Sequence, residues 1–231
     1  MPMDHAVGSG SRSERCRRRP AFRLSQLVLG LFGWGLAIAL FIRARLGLGP
    51  WDAFHYGLHL QTGITVGTAS ILAGATILVA TSATGLRPGL GTILNMVLVG
   101  VFVDLLLLVV PAPTHLSVSV AYFACALALT GIASGMYIGA GYGHGPRDGL
   151  MIALAQRTGR SVRMMRTLIE AVVLLCGWLM GATVGIGTVV IMLTIGHSVQ
   201  WGLRLFGVLP PVRTRSPAAA AKRRRLFRRA V

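Results

Sequence analysis

Five stretches of this sequence contain no Asp, Glu, Lys or Arg: 24–42, 66–86, 88–103, 116–144 and 171–203. A helix that crosses the hydrocarbon core of a bilayer needs about 20 apolar residues, and these stretches supply that length repeatedly. Charged residues make up only 13% of the chain and the mean hydropathy is +0.68. A soluble globule carries roughly 25% charge, so this composition cannot coat a water-facing surface. Backbone polar groups facing lipid must be satisfied within their own segment, which selects helices for such spans. The expectation is an all-α polytopic membrane protein with six crossings at about 24–43, 66–85, 90–110, 117–139, 164–182 and 187–206. The third crossing must then carry Asp104, and the last long stretch must be cut near 183–187 to give two helices.

The net charge of +17 would suggest nucleic acid in a soluble protein. In a polytopic chain it reads instead as topology, because Lys and Arg favour the cytoplasmic ends of short loops. With six crossings and the N-terminus inside, 21 of the 23 basic residues fall on the cytoplasmic side, and only Arg43 and Arg45 fall outside. The chain divides into a basic N-terminal arm (1–23) expected to be disordered, one membrane domain (24–207), and a basic tail (208–231) expected to be disordered. The tail cluster Lys222, Arg223, Arg224, Arg225, Arg228 and Arg229 suits anionic lipid headgroups. Three cysteines, Cys16, Cys125 and Cys176, have neither pairing nor metal spacing, and Cys125 and Cys176, inside apolar segments, read as small hydrophobes.

An internal repeat organises the membrane domain. Gly47, Gly49, Pro50 and Asp52 recur 96 residues later as Gly143, Gly145, Pro146 and Asp148, and Gly91-Thr92 recur as Gly187-Thr188. Positions 47–104 and 143–200 share 18 identities in 58 without a gap, against roughly five expected from ordinary residue frequencies. Each copy holds three crossings (about 24–110 and 117–206), an odd number, so the second must enter the membrane in the opposite sense. Inverted repeats of this kind are a recurring transporter architecture.

After each Gly-Pro, about a dozen residues lead to a Thr-Gly. Proline suits the first helical position, an acid the first turn, and glycine the residue after the last turn. Pro50–Thr62 and Pro146–Thr158 are therefore predicted as short helices, interfacial or re-entrant, ended by Gly63 and Gly159. Thr65 and Ser161 are placed to cap the next crossing. Trp51 in the first motif reads as an interfacial aromatic.

The candidate site residues are the few polar side chains inside the spans. Asp52 and Asp148 either stabilise their own helix N-termini or coordinate an ion or substrate. Asp104 and its repeat counterpart Gln200 form, with these acids, two pseudo-symmetric polar clusters. Arg166 and Glu170 stand four apart and can pair on one helix face, and with Arg147 and Asp148 they suggest an inner gate or a structural network. Asn95 and His197 lie within helices, where such residues most often bond to a neighbouring helix. His55 and His59 share a helix face, but no acid or thiol lies near them at ligand spacing, and no metal or cofactor is expected. The sequence holds no nucleophile–base set, so an enzyme is not expected.

The stretches LGLGPWDAFHYGL, TGITVGTASILAG, RPGLGTILNMVLVGVFVD, GYGHGPRDGLMIAL and RTGRSVRMMRTLIE resemble the YczE/YyaS/YitT family of bacterial membrane proteins, most closely its YczE-like branch, over about 24–207. The resemblance implies a protein of the bacterial inner membrane and little more; the placing of both termini in the cytoplasm rests on the charge bias and six crossings. The resemblance brings no catalytic residue. Two functions follow as expectations: a transporter or permease for a small solute, or a non-transporting scaffold for a biosynthetic or signalling partner. The expected partners are the bilayer, anionic headgroups and that solute or protein, with a homo-oligomer open and nucleic acid excluded. A polar cavity between the halves would favour transport.

Overall fold

A computed structural model describes residues 20–82, 89–143 and 145–208, with the backbone alone for Asp148, Ile152 and Gln156. Arg87, Cys16 and the greater part of both basic termini lie outside the described residues.

Eight helices follow in order: α1 (Pro20–Ala44), α2 (Pro50–Thr62), α3 (Val66–Ser82), α4 (Leu90–Val109), α5 (Leu116–Gly139), α6 (Pro146–Thr158), α7 (Val162–Leu179) and α8 (Ile186–Leu205). There is no strand among the described residues. The first residue of each helix from α1 to α4 has its counterpart 96 positions later in α5 to α8, so the sequence repeat is carried into the element boundaries. α1, α4, α5 and α8 are long and apolar enough to cross a membrane; α2 and α3 together make a fifth candidate span, bent by 115°. The chain is a multi-pass membrane protein. α3 has 17 residues, short for a span alone. α7 carries Arg163, Arg166 and Glu170 and is the most amphipathic of the helices.

The two short helices form where the sequence places them, and for the expected reasons. Pro50 and Pro146 occupy the first turn, while Gly63 (φ 76°) and Gly159 (φ 66°) take the left-handed conformation just past the last turn. The Gly63 N–H donates to the His59 carbonyl, which closes the last turn of α2. Thr65 Oγ1 accepts from the Thr68 N–H at 3.1 Å and Ser161 Oγ from the Met164 N–H at 3.3 Å, the expected caps of α3 and α7.

α1 and α5 form the central pair and run antiparallel: Gly30 meets Tyr137, Gly33 meets Ala133, and Phe41 packs edge-on to Phe123 at 5.3 Å. α4 lies along α1 in the same direction, with Gly35 against Phe102 and the Arg43 guanidinium donating to the Leu107 carbonyl. α8 lies along α5 in the equivalent way, with Gly131 against Ser198 and Gly135 against Gly202. A side chain at Gly202 would collide with the Gly131 carbonyl, so the backbones themselves are in contact, as small residues allow between membrane helices. Two apolar clusters flank the central pair, one around Phe41, Leu48 and Ile191 and the other around Leu31, Val99 and Val103.

The short helices pack across the two halves. α2 packs on α7, and α6 packs on α3. The Gly-x-Gly motifs are crossed in the same manner: the Gly91 N–H donates to the Tyr142 carbonyl at 3.0 Å, and the Gly187 N–H to the Leu46 carbonyl at 2.9 Å. Donors and acceptors of these two bonds are both 96 residues apart. Gly47 holds φ 140° with its Cα turned onto the backbone of Thr188, so that a Cβ would stand 2.5 Å from the Thr188 nitrogen. Only glycine meets both demands.

The halves differ most in one contact among the described residues. α3 packs closely on α4: a Cβ at Gly67 would collide with the Gly100 carbonyl, and Gly74 sits against Met96. The counterparts of Gly67 and Gly74 on α7 are Arg163 and Glu170, too large for such an approach. Among the described residues, α7 and α8 barely touch along their lengths.

Candidate functional site

A cavity of about 610 Å³ lies between the halves. The central pair contributes Trp34 and Tyr137 to its wall, and the N-termini of α2 (Gly49, Pro50, Trp51, Asp52, His55) and α6 (Gly145, Pro146, Arg147, Met151) come together on it. One side is α3 and α4, with Ser70, Gly74, Asn95, Met96 and Val99; the other is α7 and α8, with Arg166, Thr167, Glu170, Ile191, Ile195 and Gln200. Both short helices are positioned by their Gly-Pro entry, so both helix N-termini, with their unsatisfied N–H groups and partial positive charge, border one cavity.

Most of the polar residues picked out in the sequence converge here. Asp52, Asn95, Arg147, Glu170 and Gln200 all line the cavity. Arg166 Nε and Glu170 Oε1 pair at 2.8 Å, with side chains 57% and 23% exposed, on the wall formed by α7. The motif residues Gly49, Pro50, Gly145 and Pro146 are on the wall. Gly47, Gly91, Thr92, Gly143, Gly187 and Thr188 sit behind it as the crossed backbone contacts that set the two entry loops; Thr92 and Thr188 are buried.

Two candidates lie elsewhere. Asp104 bonds across to the start of α3: Oδ2 accepts from Thr65 Oγ1 at 2.5 Å and Oδ1 from the Gly67 N–H at 2.7 Å. It joins α4 to the first turn of α3, where a carboxylate satisfies an orphan donor and opposes the helix dipole. His197 is exposed and its Nδ1 contacts the Leu193 carbonyl of its own helix at 3.3 Å. Asp148 occupies the first turn of α6, and its side chain is outside the described set.

Two residues of the wall were read differently in the sequence, Trp51 as an interfacial aromatic and His55 as one of a histidine pair. Trp51 is buried at 9% exposure, not an interfacial anchor, and the guanidinium of Arg147 lies over its ring, 4.9 Å from the centroid. Its indole N–H is buried without a hydrogen-bond partner. His55, one turn on, is buried on the cavity wall, whereas the His59 ring bonds the Ile64 carbonyl at 2.7 Å; the two histidines thus serve different places. The signal for Trp51 was present in the repeat, since it occupies the position that Arg147 fills in the second copy.

Residues 21–204 match the model of a family described as a family of unknown function, DUF6198. The chain belongs to this family. It is 38% identical over 186 residues to the Bacillus subtilis "Uncharacterized membrane protein YczE", covering 80% of this chain and 85% of that one. It is 32% identical over 189 residues to an "Uncharacterized protein" of Haemophilus influenzae, covering 82% and 87%, and 28% identical over 164 residues to "Uncharacterized protein YyaS" of B. subtilis, covering 69% and 82%. These relatives agree with the resemblance read in the motifs. No solved structure matches significantly. The matched region spans the membrane domain of this chain, with both of its Gly-x-Gly-Pro motifs, whereas most of each terminus falls outside it.

Proposed function

We propose that this chain is a transporter for a small solute in the bacterial inner membrane, built as two inverted three-span halves with both termini in the cytoplasm. The six spans are α1, α3, α4, α5, α7 and α8, and α2 and α6 are re-entrant elements that bring their N-termini to the cavity. The observation that carries the reading is the 610 Å³ cavity lined from both halves. Charged and amide side chains (Asp52, Arg147, Glu170, Asn95) gather on its wall, and ionisable groups at membrane depth are costly unless they face a polar interior. The antiparallel central pair, the matched helix starts and the crossed Gly91–Tyr142 and Gly187–Leu46 bonds support the inversion. Broken helices whose N-termini face a central site between repeats are a common transporter device. A dry interface would have favoured a scaffold instead.

The test is reconstitution. Purified full-length chain in liposomes is screened for solutes that raise its melting temperature, and the hits are then assayed for uptake. Uptake per folded molecule that falls at least tenfold in Asp52→Asn and in Arg147→Ala, the latter with the loss of stability that its contact with Trp51 implies, is the expected result. Folded protein that binds and carries no solute, yet co-purifies with one stoichiometric protein partner, would overturn transport in favour of the scaffold.

A further inference from the structure

The repeat makes the two sides of the cavity directly comparable, and they differ. On the α3–α4 side, Gly67 meets the Gly100 backbone and Ile71 packs on Gly100, so that side is sealed. On the α7–α8 side, the counterpart of Gly100 is Gly196, which has nothing within 4 Å of the place where a Cβ would stand. Met96 is half-buried while its counterpart Met192 is exposed. Gly196 and Met192 both belong to the cavity wall, so the cavity runs out to the surface between α7 and α8.

The edges of this gap are chemically unlike. The α8 edge is apolar, with Met192, Ile195 and Val199. The α7 edge is the Arg166–Glu170 ion pair with Thr167. Outside the gap the exposed surface of both helices is mainly apolar, with Leu168, Val172 and Leu175 on α7 and Val189 and Leu193 on α8, although Arg163, Thr194 and His197 are exposed too. Such a face suits hydrocarbon, whereas an ion pair does not. The gap is therefore where a polar interior meets the apolar exterior of the domain.

Resting on the transport reading, we propose that the solute is a single-chain amphiphile with a zwitterionic head, entering sideways from the bilayer between α7 and α8. The head lies between Arg147, which offers N–H donors to a phosphate or carboxylate, and Asp52, which accepts from or attracts an ammonium. A zwitterion adds no net charge to a wall where those two residues already stand within electrostatic reach of each other. The chain runs along Met192, Ile195 and Val199 and leaves through the gap. The sealed α3–α4 side gives the molecule no second lateral exit in this conformation.

The probe is an alkylphosphocholine with a 12-carbon chain and a tail diazirine, photolysed at submicellar concentration with the full chain in lipid nanodiscs. Labelling is expected at 167–170 and 192–196. Unlabelled dodecylphosphocholine should compete it away, and Gly196→Leu, whose side chain projects into the gap, should reduce it at least fivefold at an unchanged melting temperature. Gly196→Trp is the second variant and should act more strongly. Labelling spread evenly over outer positions such as Leu108 and Leu116, insensitive to both variants, would overturn the proposal. So would a thiol crosslink between two copies carrying Gly196→Cys, because a second copy would then cover the gap. If glycerophosphocholine, the head without the chain, raises the melting temperature and is carried equally well by Gly196→Leu, the amphiphile route fails while transport stands. If neither the probe nor any screened solute binds, both readings fail.

Discussion

Arg147 lays its guanidinium over the indole of Trp51, 4.9 Å from the ring centroid, and these two residues hold the same position in two copies of one motif. Where the repeat is most alike, in Gly-x-Gly-Pro-x-Asp, the single substituted position inside the Pro-x-Asp triplet brings an aromatic face and a cation together. A cation over a desolvated indole is worth about 2 kcal/mol, and the contact ties the N-terminus of α2 to that of α6.

Replacement of Trp51 separates the ring from its N–H. Trp51→Phe keeps an aromatic face for Arg147 and removes a buried donor that has no partner; an unsatisfied donor costs about 1–3 kcal/mol, so the loss of area is largely offset. The melting temperature should change little. Trp51→Ala leaves a large void and should cost about 3–5 kcal/mol. Thermal unfolding in one detergent measures both, and a Phe variant as unstable as the Ala variant would refute the account.

Asp104 predicts a stability effect without a transport effect. Its carboxylate holds Thr65 Oγ1 and the Gly67 N–H, and hydrogen bonds to a charged group contribute about 1.5–3 kcal/mol each. Asp104→Ala should lower stability by about 2–4 kcal/mol, while uptake per folded molecule remains within twofold of the parent chain. A stable Asp104→Ala protein that no longer transports would place the residue in the mechanism after all.

The paired glycines of α4 and α8 should respond in opposite directions to one mutation. At Gly100 an added methyl meets Ile71 and the Gly67 carbonyl, and overpacking costs about 1–3 kcal/mol. At Gly196 it meets nothing within 4 Å, and alanine in a helix interior is favoured over glycine by about 1 kcal/mol. Gly100→Ala should therefore lower the melting temperature and Gly196→Ala should hold or raise it. Equal losses at both positions would mean that α7 and α8 are packed together in the membrane.

Inversion is tested by labelling. In a background without Cys16, Cys125 and Cys176, single cysteines at Gly63 and Gly159, each just past a short helix, should react with a membrane-impermeant maleimide from opposite sides of the membrane. Reaction of both from one side would refute two inverted halves.

How far the sequence reaches is best seen at particular residues. The bounds of α2 and α6 were legible because proline and glycine act locally, one fixing φ at the first turn and the other accepting positive φ after the last. The repeat register was legible because it needs only identities. The long first helix starts four residues before the expected span, at Pro20, because hydropathy marks where a helix must be apolar and not where it ends. The partner of Asp104 was not legible: Thr65 and Gly67 lie 39 and 37 residues away, and only the packing of α3 on α4 brings them near. The burial of Trp51 was hidden for the same reason, since an aromatic near a span end fits an interface equally well until the fold folds it inward. The gap between α7 and α8 could have been suspected from Arg163 and Glu170 standing where the other copy has Gly67 and Gly74.

The two exchanged amide bonds, Gly91 to Tyr142 and Gly187 to Leu46, bear on how this polypeptide is assembled. Each copy completes the loop of its sibling, so neither is a self-sufficient folding unit. A chain stopped after Val109 would leave the Gly91 amide and the Leu46 carbonyl without the groups that answer them, and would have to find another molecule of its own kind. Sequences of the two copies are thereby free to diverge at Trp51 and Arg147 but not at the glycines that clasp them.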